Sequence, residues 1–392
     1  MTRVPGFLAS AIASGIKKNE KKDLALIFSK TPASAAGLFT TNVVKAAPVL
    51  VGMERVKSGL CQAIVVNSGN ANACTGKRGI RDAKYITQLV ARELGIKESL
   101  VIPSSTGLIG VPLPVEKIRK AIPKLVSSLS EDGFKDTADA IMTTDQFPKY
   151  AYTNVKAGSR NGTILAIGKG AGMIAPQMAT MLCFILTDLN IDIKAQKKAL
   201  KNAVNNSFNR IIVDGDTSTN DTVIMLSNGS LENKEIHYGD TNYKKLEKAL
   251  TELTTEIAEM IVKDGEGATK VVRINVRGAK SEKEAEKIAR TLGSSLLVKT
   301  AFYGEDANWG RVLAAAGRSG VKFDPLKVDL YFENYRIVRN GIEVMDEKEV
   351  NHVLKQPRFS ITLDLKMGKG SFFVIASDIT MDYLKLNAHY RT

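Results

Sequence analysis

The sequence predicts an α/β protein, with strands and helices interleaved along the chain and packed into one assembly. Three observations predict it. Short apolar runs bounded by turn residues, such as 61–67, 163–167 and 181–186, have the length of core strands. Between such runs lie stretches with apolar residues every three or four positions, as in 81–94 and 243–262, the mark of amphipathic helices. The 392 residues, 44% hydrophobic and 24% charged, hold no repeat, low-complexity tract or flexible linker that would divide them. The only natural division falls between Ala179 and Thr180, and its reason is chemical.

In order, residues 1–70 read as short strands. Arg3 followed by the apolar stretch 7–16 has the outline of a signal peptide, but that stretch is short and glycine-interrupted. The charged run 17–22 then leads straight into the strand-like 24–28, so a hairpin with a charged turn is expected. The strand ending at Asn67 runs into Asn67-Ser-Gly-Asn-Ala-Asn72, suited to a turn or a ligand-facing loop. Residues 81–94 form a helix with Ala83, Ile86, Leu89, Val90 and Leu94 on one face. Residues 101–107 are a strand ending in a polar elbow, and 113–140 are helical. Thr143-Thr-Asp145 is a polar cluster, and 152–167 a hairpin turning around 159–162.

Beyond 180, residues 192–205 are a helix with Ile193, Leu200 and Val204 inward. Asp214-Gly-Asp-Thr-Ser-Thr-Asn-Asp221 carries three carboxylates but lacks the spacing and closing glutamate of a calcium loop, so it reads as structural or supporting. The helix 243–262 stops near Asp264-Gly-Glu266-Gly, and 270–276 is a strand. Ser281-Glu-Lys-Glu284 opens the next helix as a capping box. Residues 328–338 and 342–344 flank Asn340-Gly341 as a hairpin. Residues 360–365 and 371–376 make a final hairpin.

Composition excludes several classes. A net charge of +14 raises nucleic acid as a partner. Yet the lysines are dispersed among polar and acidic residues, with no basic block interleaved with aromatics, so a solvated surface that attracts anionic metabolites is the better reading. Cys61, Cys74 and Cys183 have no metal-ligand spacing, and their odd, sparse count fits a reducing interior. No apolar run approaches the ~20 residues of a membrane helix. A cytoplasmic protein without metal, membrane or nucleic-acid partner is expected. His237, His352 and His389 fit no Ser/Cys–His signature, so no such triad is expected.

The chemistry concentrates in GKGAGMIAPQMATMLCFILTD (168–188), where a small-residue loop leads to Thr180 at the mouth of a buried strand. Threonine is a weak nucleophile unless a base stands beside it, and one such base is its own α-amino group. That amine is freed only if the Ala179–Thr180 bond breaks, by attack of the hydroxyl on the preceding carbonyl and hydrolysis of the ester. A second reading is a dinucleotide loop, Gly168-x-Gly170-x-Gly172 with Asp188 about 20 residues on, but the third glycine falls one place early and Pro176 would interrupt the helix. A plain glycine turn between two core strands is the third reading, and pattern alone favours it.

Further blocks change that balance: AAGLFTTNVVKAAPV (35–49), NSGNANACTG (67–76), SSTGLIG (104–110), IMTTDQFPK (141–149), DGDTSTNDT (214–222), DGEGATK (264–270), FYGEDANWGR (302–311) and NAHYRT (387–392). Together with 168–188 they resemble the bifunctional ornithine acetyltransferase/N-acetylglutamate synthase family of arginine biosynthesis, in order and from residue 35 to the last. The resemblance implies an α/β sandwich of sheets and helices of the ornithine acetyltransferase type, with a self-cleaving N-terminal-nucleophile mechanism. It implies cut chains 1–179 and 180–392 that stay together, usually as a heterotetramer with two copies of each.

The implied activity is that of a glutamate N-acetyltransferase working by ping-pong transfer. N2-acetylornithine gives its acetyl group to Thr180, ornithine leaves, and the amine of glutamate removes the acetyl group. The resemblance implies Thr106 and Gly107 as the oxyanion pair, Ala179 and Thr180 as the cleavage site, and Thr143, Lys169, Thr180, Glu266, Asn387 and Thr392 as substrate contacts. The charge of Lys169 suits an α-carboxylate, that of Glu266 the ammonium of ornithine, and Asn387 and Thr392 require the tail to fold back. No cofactor is expected, although some family members take acetyl-CoA as a donor substrate. The rivals are an N-terminal-nucleophile amidohydrolase or aminopeptidase, a basic nucleic-acid-binding protein, and a dinucleotide-dependent oxidoreductase with an intact chain.

Overall fold

The structure, a computed structural model, describes residues 3–18, 20–174 and 181–389. The first part of the chain runs β1 (Phe7–Ile12), β2 (Leu24–Phe39), α1 (Ala47–Arg55), β3 (Leu60–Asn70), α2 (Gly76–Leu94), β4 (Val101–Leu108), α3 (Val115–Ser127), α4 (Phe134–Ala140), β5 (Lys149–Ala157) and β6 (Arg160–Lys169). The second runs β7 (Leu182–Thr187), α5 (Ile193–Asn206), β8 (Ile211–Ile212), β9 (Thr222–Ser227), α6 (Thr241–Lys263), β10 (Val271–Ala279), α7 (Glu282–Gly293), α8 (Leu296–Tyr303) and α9 (Trp309–Gly317). It ends with β11 (Asp329–Phe332), β12 (Tyr335–Arg339), β13 (Ile342–Glu343), α10 (Asn351–Leu354), β14 (Arg358–Asp364), β15 (Gly370–Ser377) and α11 (Met381–His389).

Every residue of β7 is buried, and its neighbours explain why the run is apolar throughout. Cys183 and Ile185 pack on α5 and α6 with Val204, Leu250 and Ile257. Leu182, Phe184 and Leu186 face the other way, onto Phe7, Ile27 and Phe134. A strand covered on both faces needs apolar side chains at odd and even positions alike. Each buried Leu, Ile or Phe there contributes about 1.5–3 kcal/mol. The first sheet has the order β4-β3-β2-β9-β7-β6-β5, with β1 also paired to β2. Its β2–β3 end is covered by α2 and α3, where Leu24, Leu26 and Val65 meet Ile86, Val90 and Ile118.

The second sheet has the order β13-β12-β11-β14-β10-β15-β8. One face packs Ile274, Val276 and Val374 against Ile288 and Leu292 of α7 and Phe302 of α8. The other sends Ile211 and Ile375 into the cluster around α5 and α6. Helix α6 touches strands of both sheets. The α/β sandwich is therefore as expected from the sequence. Among the described residues no helix is long and apolar enough to cross a membrane.

The expected N-terminal hairpin forms, with Phe7 opposite Ser29 and Ile12 opposite Leu24. Other expectations need correction. Residues 1–70 include α1, entered through Pro48 in its first turn. The helical stretch 113–140 is two helices, α3 and α4, with Gly133 between them; a Cβ there would lie 1.9 Å from the Ala9 carbonyl oxygen. The 152–167 hairpin turns at Gly158-Ser159 rather than 159–162, with Ala157 opposite Arg160. The run 328–338 is itself a hairpin, β11–β12, because Glu333 takes a positive φ of 47°. Asn340 and Gly341, at φ 50° and 75°, make the expected turn between β12 and β13.

The final hairpin does not form as such. Strands β14 and β15 exist, but β10 lies between them, parallel to β14 and antiparallel to β15. The connection passes over the end of β10, where the N–H groups of Met367 and Gly368 donate to the Gly278 carbonyl. A strand bearing Val272, Ile274 and Val276 buries more apolar surface at the centre of a sheet than at its edge.

Candidate active site

Strands β3 and β4 run parallel and end together at an irregular register around Gly69 and Asn70. Gly107 sits there at φ +130°, and a Cβ on it would lie 2.3 Å from the Gly69 carbonyl carbon. Only glycine fits so close a backbone approach. The elbow places Thr106 and Gly107 on the wall of a cavity of about 230 Å³. Asn220 braces it, donating to the carbonyls of Ala71 at 2.7 Å and Ser105 at 2.8 Å.

Lys169 is the last residue of β6 and also lines the cavity. Its Nζ donates to Thr143 Oγ1 at 2.8 Å and to Thr106 Oγ1 at 3.2 Å. Asp145 Oδ2 lies 3.8 Å away. Thr143 and Thr144 both line the cavity, and Thr143 is the one bonded to Lys169. Behind them Lys149, fully buried, bonds Asp145 at 2.7 Å and Asp264 at 2.5 Å. Asp145 also accepts the N–H groups of Thr143 and Gly170. Burial alone would raise the pKa of Asp145, but Lys169 and Lys149 overcome it and hold the carboxyl well below the ordinary range. Burial lowers the pKa of Lys169, and Asp145 opposes that shift.

The loop after α6 presents Glu266 to the same cavity, its backbone N–H donating to the Ala171 carbonyl. Its Oε2 accepts from Asn387 Nδ2 of α11 at 2.9 Å, so the C-terminal helix folds back onto the site. Gly172 makes room for this carboxylate: a Cβ there would lie 2.4 Å from the Glu266 carboxyl carbon. Tyr383 of α11 lines the cavity too, its hydroxyl pKa pushed up to about 12, first by burial and then by Asp214 and Glu266. Asp378 anchors the Glu266 loop through the N–H groups of Thr269 and Lys270.

The segment after β8 lines the cavity too, through Asp214, Asp216, Ser218, Thr219 and Asn220. This revises the structural or supporting reading of 214–221. Asp214 accepts the N–H groups of Met173 at 2.5 Å and Ile174 at 2.7 Å, and Asp221 accepts that of Met181 at 2.9 Å. The two ends of the stretch 174–181 are thus both fixed to this one segment. Burial holds the Asp221 carboxyl well above its ordinary range. No group of three or more His, Cys, Asp or Glu among the described residues is arranged to hold a metal.

Of the residues the resemblance implied, Thr106, Gly107, Thr143, Lys169, Glu266 and Asn387 all line this one cavity. Ala179, Thr180 and Thr392 lie outside the described residues. Among the described residues no histidine lines it. Cys183 is buried core as read, its thiol pKa raised by burial. Sequence reasoning missed Lys149, Asp264 and Tyr383. The signals available were the block 141–149, which carries Asp145 and Lys149 four residues apart, and the block 264–270, which begins with Asp264.

The chain matches the ArgJ family over residues 8–392. The arginine biosynthesis bifunctional protein ArgJ of Geobacter sulfurreducens is 48% identical over 391 residues, covering 99% of this chain and all of the relative. That of Thermotoga neapolitana is 48% identical over 395 residues, covering 99% of each. Among solved structures, that of the arginine biosynthesis bifunctional protein of Bacillus halodurans is 38% identical, covering 54% of this chain and all of the other, with a TM-score of 0.52.

Proposed function

Because the chain belongs to the ArgJ family it is an acyltransferase of arginine biosynthesis, and we propose that the cavity moves an acetyl group from N2-acetylornithine to glutamate through Thr180. The observation that carries this reading is the convergence of six implied residues, from five separated stretches of chain, on one cavity. At about 230 Å³ the cavity is smaller than the ~300–1,000 Å³ of drug-sized ligand sites and suits an amino-acid derivative.

The cavity lining carries both signs, as the two substrates require. Lys169 is the partner for an α-carboxylate, and Glu266 accepts the side-chain ammonium of ornithine. Thr180, freed by cleavage of the Ala179–Thr180 bond, attacks the acetyl carbonyl with its own α-amine as base. The tetrahedral oxyanion is met by the Thr106 hydroxyl and the Gly107 N–H. Ornithine leaves with the proton, and the amine of glutamate attacks the acetyl-threonine ester through the same oxyanion site. No cofactor takes part. The enzyme works in the cytoplasm as two copies each of chains 1–179 and 180–392. Light scattering then reads about 85 kDa, twice 42.5 kDa, for such an assembly.

The test follows labelled acetyl from N2-acetylornithine, with and without glutamate. Transfer to glutamate supports the reading. Release of acetate that glutamate does not suppress overturns it in favour of an amidohydrolase. Running the reaction with acetyl-CoA as sole donor reads the second activity that "bifunctional" implies in the relatives' names. The intact mass gives the cleavage: fragments of roughly 19 and 23 kDa in the wild type and one chain in Thr180→Ala, if the threonine is liberated.

A further inference from the structure

Lys169 is placed to do more than hold a carboxylate. A lysine ammonium has three protons to donate and no lone pair to offer. Its contacts with Thr106 Oγ1 and Thr143 Oγ1 therefore fix both hydroxyl oxygens as acceptors on that side. Among the described residues neither hydroxyl has an acceptor for its own proton, and both line the cavity. Each O–H is left to point at whatever occupies the cavity. The arrangement needs Lys169 to be an ammonium, because a neutral amine could accept a proton from either threonine and reverse the order.

The groups facing Lys169 come from several elements. Asp145 and Lys149 come from the connection into β5 and its first residue, Glu266 from the loop after α6, and Asp221 from the residue before β9. Lys17, from the β1–β2 connection, faces it as well. Among the described residues Asp145 is the carboxylate that pairs with Lys169, at 3.8 Å, and its own partners hold it rigidly: two backbone N–H groups and the buried Lys149.

We infer that Asp145 is a positioning residue that keeps Lys169 a donor, and that Lys169 thereby turns the Thr106 and Thr143 hydroxyl protons into the cavity toward the oxyanion. The inference rests on the oxyanion role proposed for Thr106. It gives Lys169 a part in the chemical step as well as in carboxylate binding.

Two measurements test it. In the first, protein labelled with 13C at lysine Cε is titrated by NMR, with the Lys169 signal assigned by its loss in Lys169→Ala. Removing an opposite charge at this range moves a pKa by about 1–3 units. The midpoint of Lys169 in Asp145→Asn should fall by at least about 1 unit. An unmoved midpoint overturns the role of Asp145, whether or not the protein transfers acetyl groups.

In the second, Lys169→Met is acetylated with p-nitrophenyl acetate, a donor with no α-carboxylate. Loss of the donor's orientation should slow acetylation about tenfold, less than the ~10²–10³ lost when an oxyanion donor itself is removed, with Lys169→Arg recovering part of the rate. An unchanged rate confines Lys169 to carboxylate binding and overturns the inference. This arm decides alone if Asp145→Asn does not fold. A wild type that no donor acetylates would instead sink the proposed function, while the titration still reads the charge of Lys169.

Discussion

At the residue scale, the glycines are the sharpest points of the site. Gly107 has no room for a methyl group, so Gly107→Ala must move the N–H proposed to meet the oxyanion. Losing one such donor costs about 10²–10³ in kcat; kcat for acetyl transfer should fall by that much, with KM changed far less. Gly172→Ala acts at one remove. Its methyl group collides with the Glu266 carboxylate, and Asn387 shifts with it. The expected outcome is a KM for N2-acetylornithine raised about tenfold with a smaller change for glutamate, since a misplaced hydrogen bond to a charged group is worth about 1.5–3 kcal/mol. Equal changes in both KM values would remove Glu266 from the recognition of ornithine.

At the scale of elements, buried lysines distribute the risk. Lys149 is held by Asp145 and Asp264, and Lys149→Met leaves two buried carboxylates without it. Breaking a buried pair from one side costs about 3–5 kcal/mol, to be read by urea unfolding. Lys299 of α8 donates to the Ser377 carbonyl, and burial lowers its pKa to about 8. The unfolded chain keeps that proton up to about 10.4, so between about 8 and 10.4 the unfolded state binds more protons and stability rises with pH. Lys299→Met should remove that rise, and parallel unfolding curves at pH 7.5 and 10 would show it. Helix α11 is the opposite case. None of its residues is buried, yet it supplies Tyr383 and Asn387. A chain ending at Thr380 should melt within about 2 °C of the full chain while losing most of its transfer activity. What the sequence made legible also divides by element. Helices 81–94 and 243–262 and strand β7 announce themselves because their patterns are local. The final hairpin misled because β14 and β15 are near neighbours in sequence, whereas the partner that separates them, β10, comes some 80 residues earlier. Asp264 was unreadable as a site residue for the same reason: only the folded chain brings it to Lys149.

At the scale of the whole molecule, the first sheet draws on both sides of residue 180. Strand β9 lies between β2 and β7, and β7 lies between β9 and β6. Three of its pairings, β2–β9, β9–β7 and β7–β6, thus join early strands to late ones or late ones to each other, and the apolar cluster around Phe184 draws on both parts. Cutting the Ala179–Thr180 bond removes one covalent link and none of these pairings, so the two chains should elute together in any buffer that leaves the sheet folded. The same weave bears on refolding: if the bond is cut as proposed, neither part alone contains β2, β9 and β7 together. Diluted from denaturant, an uncut Thr180→Ala chain should regain its fold at a rate independent of concentration, while the cut enzyme should recover at a rate that falls on dilution. Cleavage as proposed would then act as a one-way gate. The molecule would gain a nucleophile and give up the tether that let it find its own shape, so its working life would be set by how slowly it opens the first time.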